Sequence, residues 1–292
     1  MGNLGLYVER STISNSHEMG SLMRFAQVAQ RLGHRTDFLF RPDMYKIPDC
    51  NALFIRAATD PLNSAYVAAR TAQMHNIPVL DDPDSIYICC DKVNMYHHLR
   101  RAGVSMPETE FVSEAEVTAV HGKDLFERLG NPLVLKAPHS SFSLYVERAK
   151  TVEEYLSIGK RFMRRADRII AQRFVPSQFD WRVGILGNRP LYVCQYTIPK
   201  KRWKILTYMP TGPAIQGPVK SMSLAEADPH LLERALQAAA AIGEGLYGVD
   251  LKQVGDDYIV IEVNDNPTII AGDEDKKAPD VYEKIIRFLM ES

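Results

Sequence analysis

Tyr247-Gly248-Val249-Asp250-Leu251-Lys252 and Glu262-Val263-Asn264-Asp265-Asn266-Pro267 are the stretches whose reading decides the fold of this chain. Asp250 to Val254 and Tyr258 to Val263 read as strands, and Gly255-Asp256-Asp257 between them is turn chemistry. With those three residues as the loop, Val254 pairs with Tyr258, Leu251 with Ile261, Val249 with Val263, and Asp250 with Glu262. One face of the hairpin is then apolar. The other carries Asp250, Glu262 and Asn264, because strand side chains alternate with period two. A two-residue loop would shift the register by one and split the acids across both faces, and the hydrophobic pattern favours the longer loop. Pro267 stops the strand where a site would open. Two carboxylates and a carboxamide grouped in this way are hard oxygen donors that suit Mg²⁺. An exposed hairpin with ordinary surface acids is the plain alternative.

The chain's 292 residues can bury a large core and divide into two or three lobes. Hydrophobic content of 46% and charged content of 24% exclude disordered and fibrous classes. A formal net charge of -1 gives no electrostatic reason to expect nucleic acid or an anionic membrane as partner. No segment approaches a membrane span, and the N-terminus lacks a basic region followed by an apolar stretch, so the cytoplasm is the expected location. Cys50, Cys89, Cys90 and Cys194 show neither zinc spacing nor a disulfide framework.

Residues 1–90 alternate strand and helix signals. Gly5 to Val8, Thr36 to Phe40, Ala52 to Ile55 and Pro78 to Leu80 read as strands. Helices cover Met19 to Leu32, ended by Gly33, and Ala65 to His75. This pattern predicts a small parallel α/β lobe, with Asp81-Asp82-Pro83-Asp84 marking its exit. Residues 91–174 begin with a helix at Asp91 and continue with the strand Glu108 to Val112. The order is then helix, strand, loop, strand, helix, strand, with Leu133 to Lys136 and Tyr145 to Ala149 flanking the loop and Ile169 to Val175 closing the lobe. Residues 175–292 open with a hairpin, Arg182 to Leu186 and Leu191 to Tyr196, turned at Gly187-Asn188. A helix capped by Asp228 with Pro229 at its first position feeds the acidic hairpin, and a last helix spans Asp280 to Met290.

Two lysines stand out by context. Lys136 ends the apolar run Leu133-Val134-Leu135 and enters a loop containing Ser140, Ser141 and Ser143, which suits a phosphate wrapped by backbone N–H groups. A lysine ending a buried strand needs an anionic partner or a water-filled cleft. Lys92 opens a helix, where its charge adds to the N-terminal dipole and favours an anion. Further on, Gln172-Arg173-Phe174-Val175-Pro176 is a strand end able to form a hinge whose backbone edge reads an adenine. Asp180 and Arg182 share one face of the next strand, where a carboxylate can hold ribose hydroxyls and a guanidinium can clamp phosphate. A surface Asp/Arg pair explains those two residues equally well. Arg56, at the end of a strand in the first lobe, is a candidate anchor for a substrate carboxylate, with a local salt bridge as the alternative.

The order of these elements, lysine on a helix, lysine on a strand with a phosphate loop, hinge plus acid, acidic hairpin, resembles the ATP-grasp superfamily. Within it the chain is most similar to the glutamate ligase branch that includes the ribosomal protein S6 modification enzyme. The resemblance runs from about Asn51 to Asp275 and is carried by Asn51-Ala52-Leu53-Phe54-Ile55-Arg56, Asp81-Asp82-Pro83-Asp84-Ser85-Ile86, Phe179-Asp180-Trp181-Arg182-Val183-Gly184, Gly245 to Asp250, and Glu262 to Pro267. The chain looks like a short form, without the additional N-terminal domain of a long bacterial subfamily. The resemblance implies a Rossmann-like pre-ATP-grasp lobe over 1–90, a central or lid subdomain over 91–174 and a C-terminal subdomain with the metal site over 175–292, ATP lying between two α+β lobes. It implies that Lys92 and Lys136 contact nucleotide phosphates, that Gln172, Arg173, Phe174 and Val175 grip the adenine, and that Asp180 holds the ribose. Asp250, Glu262 and Asn264 would hold two Mg²⁺ ions, with Mn²⁺ a substitute. The implied activity is ADP-forming C–N ligation through an acylphosphate, with small-molecule or peptide carboxylate and amine substrates. The implied assembly is a dimer or tetramer.

Several positions depart from the family pattern. No glycine lies between Lys136 and Val146, so Ser140, Ser141 and Ser143 would supply the grip on phosphate. Arg173 stands where relatives often have an acid. The arginine that steadies the acylphosphate in relatives has two counterparts in Pro199-Lys200-Lys201-Arg202-Trp203-Lys204, namely Arg202 and Lys204, beside Arg182. A solvated basic loop is the other reading of that stretch. Thr268-Ile269-Ile270-Ala271-Gly272 replaces the family's usual sequence after the proline, which points to a different amine or acceptor. Competing functions are an ATP-grasp kinase phosphorylating a small molecule and a nucleotide-binding protein with lapsed catalysis.

Overall fold

A computed structural model describes residues 1–139, 144–207 and 215–291. Ser140, Ser141 and Ser143 of the expected phosphate loop lie outside the described residues. Three main sheets organise the chain. In the first, β1 (Asn3–Tyr7), β2 (Arg35–Leu39), β3 (Ala52–Ile55) and β4 (Val79–Leu80) run parallel in the order β2-β1-β3-β4, the α/β lobe expected from the sequence. The second, β5 (Thr109–Ser113), β6 (Leu133–Lys136), β7 (Val146–Ala149) and β8 (Arg168–Arg173), is antiparallel in the order β5-β8-β6-β7. The third is formed by β9 (Phe179–Leu186), β10 (Arg189–Thr197), β13 (Val219–Met222), β14 (Leu246–Val254) and β15 (Asp257–Asn264), in the antiparallel order β13-β10-β9-β14-β15. A small ladder of β11 (Leu206–Thr207) and β12 (Ile215–Gln216) lies between β10 and β13 in the chain.

Helices α1 (Arg10–Ser14), α2 (Ser16–Arg31) and α3 (Ser64–Met74) belong to the first lobe. The apolar face of α2, with Leu22, Phe25 and Ala29, packs on β1 and β3, while the alanine face of α3 covers the opposite side. The helix α4 (Pro83–Cys89) begins where the sequence marks only an exit, capped by the Asp82 side chain on the Asp84 and Ser85 amides. Next come α5 (Lys92–Arg101), then α6 (Ala119–Leu129) and α7 (Val152–Met163), whose Leu125, Leu129, Tyr155 and Phe162 bury against the second sheet. Residues Leu231, Ala235, Ala238 and Ala239 of α8 (Pro229–Ala240), with Met95 and Leu99 of α5, cover one face of the third sheet through Val183, Val249 and Val263. The last helix, α9 (Val281–Met290), returns to the first lobe, where Tyr282 meets Phe25 edge-on with ring centroids 4.7 Å apart. No helix among the described residues is long and apolar enough to cross a membrane.

Candidate active site

With Trp181, Val183, Val249, Leu251 and Val263 committed to the core, strand alternation turns their neighbours to the other face of the third sheet. Cross-strand register arranges them in rows: Cys194, Arg182, Asp250 and Glu262 lie opposite one another across β10, β9, β14 and β15. The adjacent row is Tyr192, Gly184, Gly248 and Asn264. Both glycines are dictated by close approach. A Cβ on Gly184 would lie 2.2 Å from the Tyr192 ring, and one on Gly248 would lie 2.7 Å from the Pro267 side chain.

The expected pairs Val249 with Val263 and Asp250 with Glu262 occur, but the expected loop does not. The turn has two residues, Gly255 and Asp256, so Val254 pairs with Asp257 and Leu251 with Val260 rather than Ile261. Gly255 supplies the positive φ, 62°, that the tight turn needs. A bulge between Asp250 and Leu251 absorbs the shift and restores the acids to one face. Its extra residue, Ile261, turns its side chain into the cleft and its carbonyl towards Tyr96, whose hydroxyl donates to it at 2.7 Å.

Each acid of the row is met by a cation. Arg182 grips Asp250 in a bidentate pair, Nε to Oδ1 at 2.7 Å and Nη2 to Oδ2 at 2.8 Å. Lys92, at the start of α5, places Nζ 2.6 Å from Glu262 Oε1. Burial alone would raise the Glu262 carboxyl, but Lys92 and Lys136 outweigh it and hold it below the usual carboxylate range. Lys136, only 4% exposed, donates to the Tyr96 hydroxyl at 2.7 Å. Burial pushes its ammonium down to about 8, against the pull of Glu262, Asp180 and Asp250. Lys252 pairs with Asp180, whose carboxyl burial raises and Lys252 lowers.

Most of these groups converge on one cleft between the second and third sheets; Arg182 and Tyr96 stand outside its lining. Lys92, Lys136, Asp180, Asp250, Lys252 and Glu262 form its polar end, while Val134, Val146, Phe174, Val175, Trp203, Ile205 and Ile261 form an apolar wall. Gln172 lines the wall too, its side-chain amide donating to Thr109 Oγ1 at 2.8 Å. Arg173 also borders the cleft, yet its guanidinium turns outward to Glu108 and to the carbonyl of Arg128. Of the two basic candidates in the 199–204 loop, Lys204 enters the cleft and donates to the Val146 carbonyl at 2.9 Å, whereas Arg202 is exposed outside it. Arg56 is not among the cleft residues: Nη1 donates to Asn266 Oδ1 at 2.6 Å and to the Pro267 carbonyl at 3.1 Å, tying the end of β3 to the chain leaving β15.

Among the described residues no three His, Cys, Asp or Glu side chains gather as a metal cluster. The set at this site is two carboxylates and one carboxamide. Asn264 turns its Nδ2 to the Gly248 carbonyl at 3.0 Å and to Asp250 Oδ2 at 3.2 Å, which leaves Oδ1 as the oxygen it could offer a cation. Such a donor set fits Mg²⁺ or Mn²⁺. Tyr96, Lys252, Trp203 and Ile261 escape the sequence reading. Two of them carry a local signal: Lys252 shares the strand face of Asp250, and Tyr96 lies one helical turn after Lys92.

The layout of three sheets with an acid hairpin facing two lysines is that of the ATP-grasp fold. Solved structures agree over the whole chain. A D-alanine–D-alanine ligase from Bacillus anthracis complexed with ATP superposes with a TM-score of 0.73 at 16% identity, covering 100% of this chain and 97% of that one. A RimK domain protein described as ATP-grasp, from Sphaerobacter thermophilus, gives a TM-score of 0.69 at 18% identity, covering 98% of each. By sequence, the chain is similar to a protein named probable alpha-L-glutamate ligase from Vibrio vulnificus, 23% identical over 295 residues that span 95% of this chain and 93% of that protein. No family model matches the chain.

Proposed function

We propose that the chain is an ATP-dependent carboxylate-amine ligase that adds glutamate or another amino acid to a small-molecule or peptide carboxylate. The observation that carries this reading is the convergence of Lys92 and Lys136 with Asp250 and Glu262 in one cleft between the second and third sheets. Similarity to alpha-L-glutamate ligases along nearly the whole chain supports the same class.

In this reading the apolar wall of Val134, Phe174, Val175 and Ile261 takes the adenine, and Asp180 takes the ribose. Lys92 and Lys136 bind the phosphates. Asp250, Glu262 and Asn264 would hold Mg²⁺, whose charge would offset that of the phosphates. The substrate carboxylate attacks the γ-phosphorus, ADP leaves, and an acylphosphate forms. An amine then attacks the acyl carbon, the bond to phosphate breaks, and the amine nitrogen gives up a proton. Lys204, which lines the cleft, and Arg182, which is tied to Asp250 outside that lining, would offset the charge of the acylphosphate.

The test is incubation with ATP, Mg²⁺ and pooled amino acids and carboxylate acceptors. ADP, inorganic phosphate and a product heavier than the acceptor by the mass of the amine less one water are expected. A stable product that carries phosphate would instead make the chain a kinase.

A further inference from the structure

Residues Thr268 to Asp275, which begin with the Thr268 to Gly272 stretch that departs from the family sequence, fold back towards the third sheet. Glu274 is 1% exposed and is held at both oxygens: Oε1 accepts from the Tyr196 hydroxyl, and Oε2 accepts from the Ile270 amide at 2.7 Å. Burial raises its carboxyl, while these two bonds favour the charged form. Tyr196 is itself buried at 5% exposure and lies in the row next to Arg182 on the same sheet face. The Arg182 guanidinium stands over its ring, 5.1 Å from the centroid.

We propose that Tyr196 and Glu274 are positioning residues for the metal-binding carboxylate. Glu274 fixes the phenol, the phenol ring fixes Arg182, and Arg182 fixes both oxygens of Asp250, one of which Asn264 also meets. The chemistry favours this over simple core filling. A buried phenol can be satisfied by a backbone carbonyl at far less desolvation cost than a buried carboxylate. Donation to a carboxylate also enriches the ring in electron density, which strengthens its hold on a cation. The chain thereby links the unusual segment after Pro267 to the geometry of Asp250, and the inference rests on the proposed metal-nucleotide site.

The experiment is a titration of the full chain with Mn²⁺ in the presence of ADP, free Mn²⁺ being followed by electron paramagnetic resonance. Outer partners of metal ligands are worth about 10–100-fold in affinity. Tyr196→Phe, which keeps the ring, and Glu274→Gln are each expected to weaken Mn²⁺ binding about tenfold, and Tyr196→Leu, which removes the ring, by more. Binding of ADP without metal should stay at the wild-type value in all three. A merely structural role would lower the melting temperature and leave the Mn²⁺ affinity of the folded protein unchanged, and that result would overturn the proposal. If Glu274→Gln does not fold, Tyr196→Phe decides the matter. Wild-type protein that takes up no Mn²⁺ with ADP would refute the metal-nucleotide reading itself. Normal wild-type uptake matched by the variants would refute only the positioning role.

Discussion

Lys136, at the polar end of the cleft, is joined to Tyr96 by a buried 2.7 Å hydrogen bond, ammonium to hydroxyl. The hydroxyl donates its own hydrogen bond to the carbonyl of Ile261, the residue that the bulge expels from the β15 ladder. One side chain on α5 thus answers two buried polar groups at once, a lysine at a strand end and a carbonyl freed by an irregular strand.

Removing that hydroxyl leaves both groups short of a partner. Tyr96→Phe should therefore cost the ligand-free protein about 1–3 kcal/mol of stability by denaturant unfolding. Phosphate oxygens can replace the lost partner of Lys136, so ATP should raise the melting temperature of the variant by more than it raises that of the wild type. Equal stability of the two ligand-free proteins would show that the bond is not needed.

The depressed Lys136 ammonium predicts a pH dependence. Its proton is held at pH 7 and leaves as pH rises through about 8. Bound phosphate favours the charged lysine, so ATP affinity should fall above pH 8 by calorimetry, and Lys136→Arg should keep its affinity over the same range because a guanidinium stays charged. The same shift acts on folding with the opposite sign. Since the folded pKa lies below the ordinary lysine value, the unfolded chain holds more protons between about 8 and 10.5, and this group's contribution to stability rises across that window.

Asp250→Ala should act on binding and on stability together. It removes a proposed metal ligand and leaves the Arg182 guanidinium without its bidentate partner. Breaking such a pair from one side costs about 3 kcal/mol, readable by denaturant unfolding. ATP binding measured with and without Mg²⁺ should become equal. A variant whose ATP affinity still tightens with Mg²⁺ would move the metal elsewhere.

Gly184→Ala places a methyl group against the ring of Tyr192, which is fully buried and has no room to retreat. A loss of about 1–3 kcal/mol is expected. The double variant with Tyr192→Leu should recover part of it. Additive losses in the double variant would place the strain elsewhere.

The chain has two tryptophans, which offers a direct optical reading of the cleft. Trp203 borders the cleft beside Phe174, with the Arg148 guanidinium 4.8 Å from its ring centroid, whereas Trp181 packs into the core of the third sheet. In a Trp181→Phe variant the emission of Trp203 should change on addition of ATP. An unchanged spectrum under conditions where calorimetry records binding would place the nucleotide away from this wall.

Much of the fold is legible because its rules are local. Turn residues at Gly187-Asn188, the Asp228-Pro229 helix start and the run Leu133 to Lys136 each announce themselves within a few residues. The acid row is legible for the same reason, since alternation puts Asp250 and Lys252, or Glu262 and Asn264, on one face whatever lies around them. The loop length was not legible. Tyr258-Ile259-Val260-Ile261 is apolar at every position, so the pattern that favours a three-residue turn over an unbulged two-residue turn does not exclude a two-residue turn with a bulge.

By itself, then, the sequence determined which residues carry charge, which strand faces they share and in what order the lysines and acids occur. Tertiary structure decided what each of them meets. Val260 and Val263 both enter the core although three positions apart, an odd spacing that only a bulge can bury on one face, and this placed Ile261 in the cleft. Packing of α5 on the third sheet brought Lys92 to Glu262 and Tyr96 to Lys136. Docking of the first lobe on the segment after β15 took Arg56 to Asn266 instead of the cleft, and the path of the 199–204 loop admitted Lys204 and kept Arg202 outside the cleft lining. The division has one cause: strand and helix periodicity fix direction over a few residues, whereas ion-pair partners come from elements that only the packed core brings together.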